Sequence, residues 1–211
     1  MQRCVIVGGA AIQNPAFVRS QLRADDYVIF CDSGLAHVKP LGLSPDLVVG
    51  DFDSYPRPDL PVETIVLPRE KDDTDTVFAA KEALRRGFQS FLLIGAVGGR
   101  LDHTLANLSI LVMLQRQGKS SRIVDDYSVM EMVGAAPVDI AGDCAFFSLL
   151  NITGTAEEIF ISGAKYPLSG ARIECSYQYG TSNEVLPGQT ARVSVGRGSL
   201  LLIRVFRDSP K

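Results

Sequence analysis

The first part of the chain alternates short apolar runs with segments of helical periodicity. The apolar runs cover residues 4–7, 27–31, 47–49, 64–67 and 91–94. Between and after them, apolar residues recur three or four positions apart at Val77, Ala80 and Leu84, and at Leu105, Leu108 and Val112. Strands that are apolar on both faces and are separated by amphipathic helices are typical of a parallel sheet covered by helices. We therefore predict an α/β domain with a mainly parallel, Rossmann-like sheet over residues 1–126.

The pattern changes after Asp126. Short apolar runs now cover residues 145–150, 159–161, 191–195 and 200–206, with Gly, Pro and Asn between them and no helical period. Short runs that are separated by turn residues are typical of antiparallel sheets. We predict that residues 127–211 form an all-β domain, an antiparallel sandwich.

Acidic residues follow the predicted strands of the first domain. These acids are Asp32, Asp51, Asp53, Asp72, Asp75 and Asp102. Because the carboxyl ends of parallel strands share one edge, where open α/β sheets bind ligands, we expect these carboxylates to converge. Clustered carboxylates repel one another unless a cation is present, and Mg²⁺ accepts carboxylates together with substrate phosphate oxygens. The pattern therefore predicts a Mg²⁺ site.

A second feature of the same edge indicates phosphate binding. Gly98-Gly99-Arg100 precedes a predicted helix, where free backbone N–H groups, the positive helix end and a guanidinium favour an anion. A purely structural explanation stays open for each acid: Asp72, Asp75 or Asp102 could be a helix N-cap, and Asp53 could form an Asx-type turn. The chain has neither a P-loop motif nor a dinucleotide-binding motif.

The two histidines and the composition exclude several other classes of function. We interpret His37 as a surface or packing residue and His103 as a residue that orients its neighbours, so acyl-enzyme chemistry has little support. The net charge of −3 gives no general attraction for nucleic acid or anionic lipid, and no apolar segment is long enough to span a membrane. Four widely spaced cysteines suggest reduced thiols, so we expect a cytoplasmic protein.

Taken in order, the motifs resemble those of the thiamine pyrophosphokinase family. They are Asp32-Ser33-Gly34, Gly50-Asp51-Phe52-Asp53-Ser54, Lys71-Asp72 with Thr74-Asp75, Gly98-Gly99-Arg100 with Asp102-His103, Asn107-Leu108, and Gly180-Thr181-Ser182-Asn183-Glu184. The resemblance covers nearly the whole chain. It implies an enzyme that transfers the pyrophosphoryl group of ATP to thiamine and releases AMP. It also implies an ATP-binding domain at 1–126, a thiamine-binding and dimerisation domain at 127–211, and a homodimer with sites at the subunit interface.

The resemblance also implies individual roles for the motif residues. Three of them would ligate Mg²⁺ or lie beside it: Asp51, Asp53 and Asp75. Arg100 would hold the transferring phosphates, Asp102 would position metal or thiamine, and either Asp75 or Asp102 would accept the proton of the thiamine hydroxyl. The remaining motif residues would contact ATP or thiamine: Asp32, Lys71, Asp72, Gly98, Gly99, His103, Asn107, Thr181, Ser182 and Asn183.

The chain departs from the family pattern at two points. The family commonly has Ala-Asp-Gly-Gly where this chain has Cys31-Asp32-Ser33-Gly34, and this chain has no tryptophan that could stack on the thiamine pyrimidine, so a Tyr or Phe would take that place. Two alternative functions stay open. One is a pyrophosphokinase for another hydroxymethyl heterocycle such as a pterin, and the other is a non-catalytic sensor of thiamine or nucleotide.

Overall fold

The computed structural model describes residues 2–53, 61–70 and 72–206. The chain forms two compact units, a first unit at Met1–Asp126 and a second unit at Tyr127–Lys211. Among the described residues, no helix combines the length and the apolar character needed to cross a membrane.

The first unit contains a parallel sheet. Its strands are β1 (Cys4–Val7), β2 (Tyr27–Cys31), β3 (Leu47–Gly50), β4 (Glu63–Val66), β5 (Ser90–Ile94) and β6 (Ser120–Val124). They lie in the order β6-β5-β1-β2-β3-β4, and each neighbouring pair is parallel. Strands β1 and β3 are buried at every residue, as a strand covered on both faces must be. The predicted α/β fold with a mainly parallel sheet is confirmed.

Helices connect these strands. They are α1 (Pro15–Ser20), a 3₁₀ helix η1 (Asp32–His37), α2 (Val38–Leu41), α3 (Asp75–Arg85) and α4 (Leu101–Arg116). Helix α1 begins as the sequence predicts, because the Asn14 side chain accepts a hydrogen bond from the Phe17 N–H and Pro15 is at the first helical position. Helix α3 packs against β1, β2 and β3.

The second unit is a sandwich of antiparallel sheets. Its strands are β7 (Ser128–Val133), β8 (Val138–Ile140), β9 (Phe146–Leu150), β10 (Thr155–Ser162), β11 (Leu168–Glu174), β12 (Gly180–Asn183), β13 (Ala191–Arg197) and β14 (Leu200–Val205). One sheet has the order β12-β9-β14-β7 and the other has the order β11-β10-β13-β8. Side chains of both sheets, among them Phe147, Leu149, Ile159 and Val193, form one buried core. The predicted antiparallel sandwich is therefore also confirmed.

Candidate active site

The strand order of the first unit reverses between β1 and β5, and the loops that follow these two strands form one side of a cavity. The backbones of the two loops touch: a Cβ added at Gly8 would lie 2.5 Å from the Gly95 carbonyl oxygen, and one added at Gly95 would lie 2.3 Å from the Gly8 carbonyl oxygen. The Ala10 N–H donates to the Gly95 carbonyl at 2.9 Å. Open α/β sheets bind ligands at such a reversal, so this edge is the candidate site.

The cavity at this reversal has a volume of about 460 Å³, within the range of ligand pockets. Several residues predicted to bind substrate lie in its wall: Gly98, Gly99, Arg100, His103 and Asn107. The structure therefore brings the predicted phosphate-binding glycines and the predicted phosphate-binding arginine to one place.

Two buried side chains fix the walls of this cavity. The Asn107 Nδ2 donates to the Ala96 carbonyl oxygen at 2.8 Å, which links α4 to the loop after β5. The His37 Nε2 lies 2.8 Å from the Ala10 carbonyl oxygen, so the imidazole holds the loop after β1. His37 is therefore a packing residue, as interpreted from the sequence, but a buried one that shapes the site and not a surface residue.

A second, acidic cavity of about 270 Å³ lies beside the first, and Gly9, Ser33, Thr76 and His103 line both. Its wall contains four carboxylates: Asp32 of η1, Asp51 and Asp53 of the loop after β3, and Asp75 of α3. Ligand oxygens of Asp32, Asp51 and Asp75 lie within 4.8 Å of one another. Asp51 and Asp75 belong to the predicted Mg²⁺ set, Asp32 was predicted to contact substrate, and Asp53, the third predicted ligand, lines the same cavity outside this group of oxygens.

The pairing of β2 with β3 explains why Asp32 belongs to the cluster. Cys31 pairs with Val49, so Asp32 and Asp51 leave the sheet from neighbouring strand ends. Residue 53 lies farther along the same loop, where its N–H donates to Asp51 Oδ1 at 3.3 Å and Phe52 has a φ of 56°. Asp53 therefore lines the cavity without joining the cluster of closest oxygens.

The charge on Asp32 is disfavoured by its surroundings. Its side chain is buried, and among the described residues its Oδ1 has no hydrogen-bond partner. Burial raises the pKa of the Asp32 carboxyl above its ordinary value, and the nearby charges of Asp75, Asp51 and Asp53 raise the pKa further. A cation at the cluster would reverse this effect, because an opposite charge favours the ionised carboxylate.

Helix α3 begins beside the acidic cavity. Thr74 is the N-cap, and its side chain accepts a hydrogen bond from the Val77 N–H at 3.3 Å. The alternative that Asp75 is the N-cap is therefore wrong, since Asp75 occupies the first turn. The positive end of the helix dipole favours a carboxylate at that position.

Arg100 and Asp102 form a bidentate ion pair at the start of α4. The Arg100 Nε and Nη2 donate to the two carboxylate oxygens of Asp102 at 2.9 and 2.6 Å. Both side chains are largely exposed. The hydrogen bonds from Arg100 hold the pKa of the Asp102 carboxyl well below its ordinary value. Asp102 is not the N-cap of α4 either, because Arg100 occupies that position.

The structure does not gather all predicted residues in the two cavities. Asp72 is exposed and lies outside their walls. Asp102 also lies outside the walls, next to Arg100, which is part of one of them. Lys71 lies outside the described residues.

In the second unit, Thr181, Ser182 and Asn183 belong to the edge strand β12. Thr181 and Ser182 are exposed, and the pairing of β12 with β9 is irregular between Gly180 and Asn183. Ser182 has a φ of 56°, and its N–H donates to Ser148 Oγ at 3.0 Å. Bulges of this kind change the direction of side chains and are frequent next to active sites.

Asn183 differs from its two neighbours because it is buried. Its Oδ1 accepts hydrogen bonds from the backbone N–H groups of Tyr166 and Glu184, and its Nδ2 donates to the Tyr166 carbonyl. The Asn183 amide therefore holds the segment at Tyr166 against β12.

Comparisons with known proteins cover both units. Residues 18–123 match the family described as "Thiamin pyrophosphokinase, catalytic domain", and residues 139–200 match the family described as "Thiamin pyrophosphokinase, vitamin B1 binding domain". The chain is 28% identical over 181 residues to a thiamine pyrophosphokinase of Bacillus subtilis, and this match covers 82% of the present chain and 84% of that protein.

Solved structures are similar over almost the full chain. A thiamin pyrophosphokinase from Geobacillus thermodenitrificans has a TM-score of 0.81 and 27% identity, with 99% of each chain covered. A thiamin pyrophosphokinase family protein from Enterococcus faecalis has a TM-score of 0.79 and 29% identity, with 99% of this chain and 100% of that chain covered. From these matches, which extend over most of the sequence, we conclude that the chain belongs to the thiamine pyrophosphokinase family.

Proposed function

We propose that this chain transfers the pyrophosphoryl group of ATP to the hydroxyl of thiamine and releases AMP. The observation that carries the proposal is the meeting of Asp32, Asp51 and Asp75 within 4.8 Å, beside a cavity that contains Gly98-Gly99-Arg100. Carboxylates that can hold a cation and donors that can hold phosphates are the two requirements of phosphoryl transfer from a nucleotide.

The carboxylate cluster fits Mg²⁺. Oxygen ligands from carboxylates suit this hard cation. A buried carboxylate oxygen such as Asp32 Oδ1, which has no hydrogen-bond partner in the described part of the chain, is costly unless a cation accompanies it. We propose that Asp32, Asp51 and Asp75 hold the ion, with Asp53 beside it in the same wall. When bound, Mg²⁺ would neutralise negative charge on the phosphate oxygens.

The chain's own residues would position the phosphates and the nucleophile. Arg100 would hold the transferring phosphates, and its bidentate pair with Asp102 would orient the guanidinium in the absence of substrate. The thiamine hydroxyl would attack the β-phosphorus, AMP would leave, and the hydroxyl proton would pass to a carboxylate. Either Asp75 or Asp102 would be this acceptor, because the pair with Arg100 lowers the basicity of Asp102 and a bound Mg²⁺ would lower that of Asp75.

The second unit would contribute to thiamine binding. The residues that match the vitamin B1 binding family include β12, where the exposed Thr181 and Ser182 could reach a ligand. Asn183 would act indirectly by holding this segment in place. A homodimer and a cytoplasmic location stay predictions, and light scattering at several protein concentrations would test the dimer.

The match to a vitamin B1 binding family favours thiamine over a pterin, and the carboxylate cluster disfavours a sensor, which would not need a cation at the phosphates.

The decisive experiment incubates the protein with ATP, Mg²⁺ and thiamine and identifies the products. We expect AMP with thiamine diphosphate. ADP with thiamine monophosphate would overturn pyrophosphoryl transfer, turnover of hydroxymethylpterin instead of thiamine would identify the other substrate class, and thiamine binding without turnover would indicate a sensor.

A further inference from the structure

The two cavities of the first unit share a wall, and this wall contains side chains that can donate hydrogen bonds. The shared residues are Gly9, Ser33, Thr76 and His103. A ligand that extends from the larger cavity to the carboxylates must pass them. Under the proposed function, on which this inference rests, that ligand is the triphosphate of ATP.

Donors are needed at this point because the acidic cavity repels phosphate. Asp32, Asp51, Asp53 and Asp75 present negative charge to any phosphate oxygen that does not face a cation. A hydroxyl group has no such repulsion and can donate a hydrogen bond to the anion, and such charge-assisted hydrogen bonds are stronger than neutral ones.

Ser33 is closely fitted to this position. It follows Asp32 in η1. A Cβ added at Gly9 would lie 1.8 Å from Ser33 Oγ and 2.8 Å from Ser33 Cβ, so the Ser33 side chain fills the space that a side chain at residue 9 would need. The hydroxyl therefore lies against the loop after β1, in a residue that lines both cavities.

We propose that the Ser33 hydroxyl binds the diphosphoryl group that the enzyme transfers, and thereby distinguishes ATP from AMP. Thr76 and His103 are the other polar side chains of the shared wall and complete the set of donors. The competing explanation is packing alone, in which Ser33 only fills the space beside Gly9. If the hydroxyl binds the diphosphoryl group, its removal weakens binding of an ATP analogue and not of AMP. If Ser33 only fills space, its removal affects both ligands equally or affects neither.

Isothermal titration calorimetry of Ser33→Ala with two ligands in the presence of Mg²⁺ distinguishes the two explanations. The ligands are α,β-methylene-ATP, which cannot release AMP, and AMP itself. We expect affinity for the ATP analogue to fall about 10-fold or more, as for loss of a hydrogen bond to a charged group, and affinity for AMP to stay unchanged. Ser109→Ala is the matched control, because Ser109 is an exposed residue of α4 whose hydroxyl donates to the Ala106 carbonyl.

Equal losses for both ligands, or no loss for either, would overturn the inference. Should Ser33→Ala fail to fold, Ser33→Gly removes the same hydroxyl with less bulk and is measured in the same way. Turnover of thiamine by the unmodified protein is scored separately. If Ser33→Ala selectively weakens binding of the analogue but the unmodified protein does not turn over thiamine, the role of Ser33 is kept and the proposed function is rejected. If the unmodified protein turns over thiamine but the selective loss is absent, the proposed function is kept and the role of Ser33 is rejected.

Discussion

Asp32 has a strained backbone conformation, and its surroundings oppose an ionised side chain without a cation. Its φ of 31° is rare for a residue with a side chain, and its carboxyl is buried among other carboxylates. Strain and unfavourable charge at one residue tend to occur at functional sites, where the rest of the fold maintains them. We therefore expect stability and activity to respond in opposite directions when the charge of Asp32 is removed.

The substitution Asp32→Asn tests this expectation. Asparagine keeps the shape of the side chain but removes the charge, so without divalent ions the free energy of unfolding should rise, on the order of 1 kcal/mol. Turnover with Mg²⁺ should fall about 10²-fold or more, because the substitution removes a proposed cation ligand. Urea unfolding in a chelator and steady-state AMP production measure the two effects.

Asp25→Asn is the control for that experiment, since Asp25 is exposed and lies in a turn before β2. Its effect on the free energy of unfolding should stay within about 0.5 kcal/mol. An Asp32→Asn variant that is less stable than the unmodified protein and still turns over normally would remove Asp32 from the cation site.

The sequence places Asp32, Asp51, Asp53 and Asp75 at one edge but does not show that Asp32, and not Asp53, lies closest to Asp51 and Asp75. That distinction depends on the pairing of Cys31 with Val49 and on the turn at Phe52, which are properties of neighbouring strands and not of a single segment. Ser33 illustrates the same limit. The sequence shows a departure from the family pattern, and only the packing of Ser33 against Gly9 shows how the chain accommodates it.

At the scale of elements, the close contact between the loops after β1 and β5 fixes one side of the larger cavity. The contact is between backbones, so no rotation of a side chain can relieve a clash there. Gly8 has no unusual φ, which means that a substitution at this residue tests the contact itself without adding backbone strain.

We predict that Gly8→Ala lowers the free energy of unfolding by about 1–3 kcal/mol, because the new methyl group would overlap the Gly95 carbonyl. Affinity for the inert ATP analogue should fall as well, since relief of the overlap moves a cavity wall. For stability alone, the control is Gly99→Ala, at which an added Cβ meets no atom of the described residues within 4 Å. Equal stability of the two variants, measured by urea unfolding, would show that the loops separate without cost.

The carboxyl end of α3 is held by an ion-pair network around Glu82. Arg85 donates to Glu82 Oε2 at 2.7 Å, Arg86 donates to Glu82 Oε1 at 2.8 Å, and Arg86 also reaches the Tyr27 hydroxyl on β2. The hydrogen bonds from Arg85, and then those from Arg86, lower the pKa of Glu82 from 4.5 to about 2. Because the folded-state pKa is lowered, this stabilisation exists above the ordinary pKa and is lost as the pH falls towards 2.

We predict that Glu82→Gln lowers the free energy of unfolding at neutral pH by about 1–3 kcal/mol, an amount reduced from the full pKa shift to allow for solvent screening. The difference from the unmodified protein should shrink steadily as the pH is lowered from about 4.5 to 2. Urea unfolding across this pH range is the measurement, with the exposed Glu70→Gln as control. A difference that is independent of pH would mean that Glu82 acts through packing and not through its charge.

Most of the strands that the sequence predicts are buried along their length, although the edge strand β4 is also predicted and the largely buried β7 is missed. Edge strands such as β11 and β12 escape prediction, because an edge strand has one neighbour and needs few apolar residues. The inner face of α4 is missed for another reason. Its buried positions are 107, 110, 111 and 114, which include the polar Asn107, whereas Leu105 of the predicted apolar series is exposed.

At the scale of the whole molecule, two units with different architectures carry the two halves of the family match. The catalytic family covers 18–123 in the parallel-sheet unit, and the vitamin B1 binding family covers 139–200 in the sandwich. We predict ATP and metal binding for the first unit and thiamine binding for the second. Each ligand should therefore affect a different unit.

Hydrogen exchange with one ligand at a time tests that division. With Mg²⁺ and the inert ATP analogue, we expect slower exchange at residues 8–11 and 95–100, which line or adjoin the larger cavity, because bound ligand opposes local opening. Thiamine should slow exchange at residues 180–184, where Ser182 occupies a strained position on an edge strand. Asp51→Asn should abolish the first effect and leave the second intact. Thiamine protection confined to the first unit would assign both substrates to the parallel-sheet unit and reject a thiamine-binding role for the sandwich.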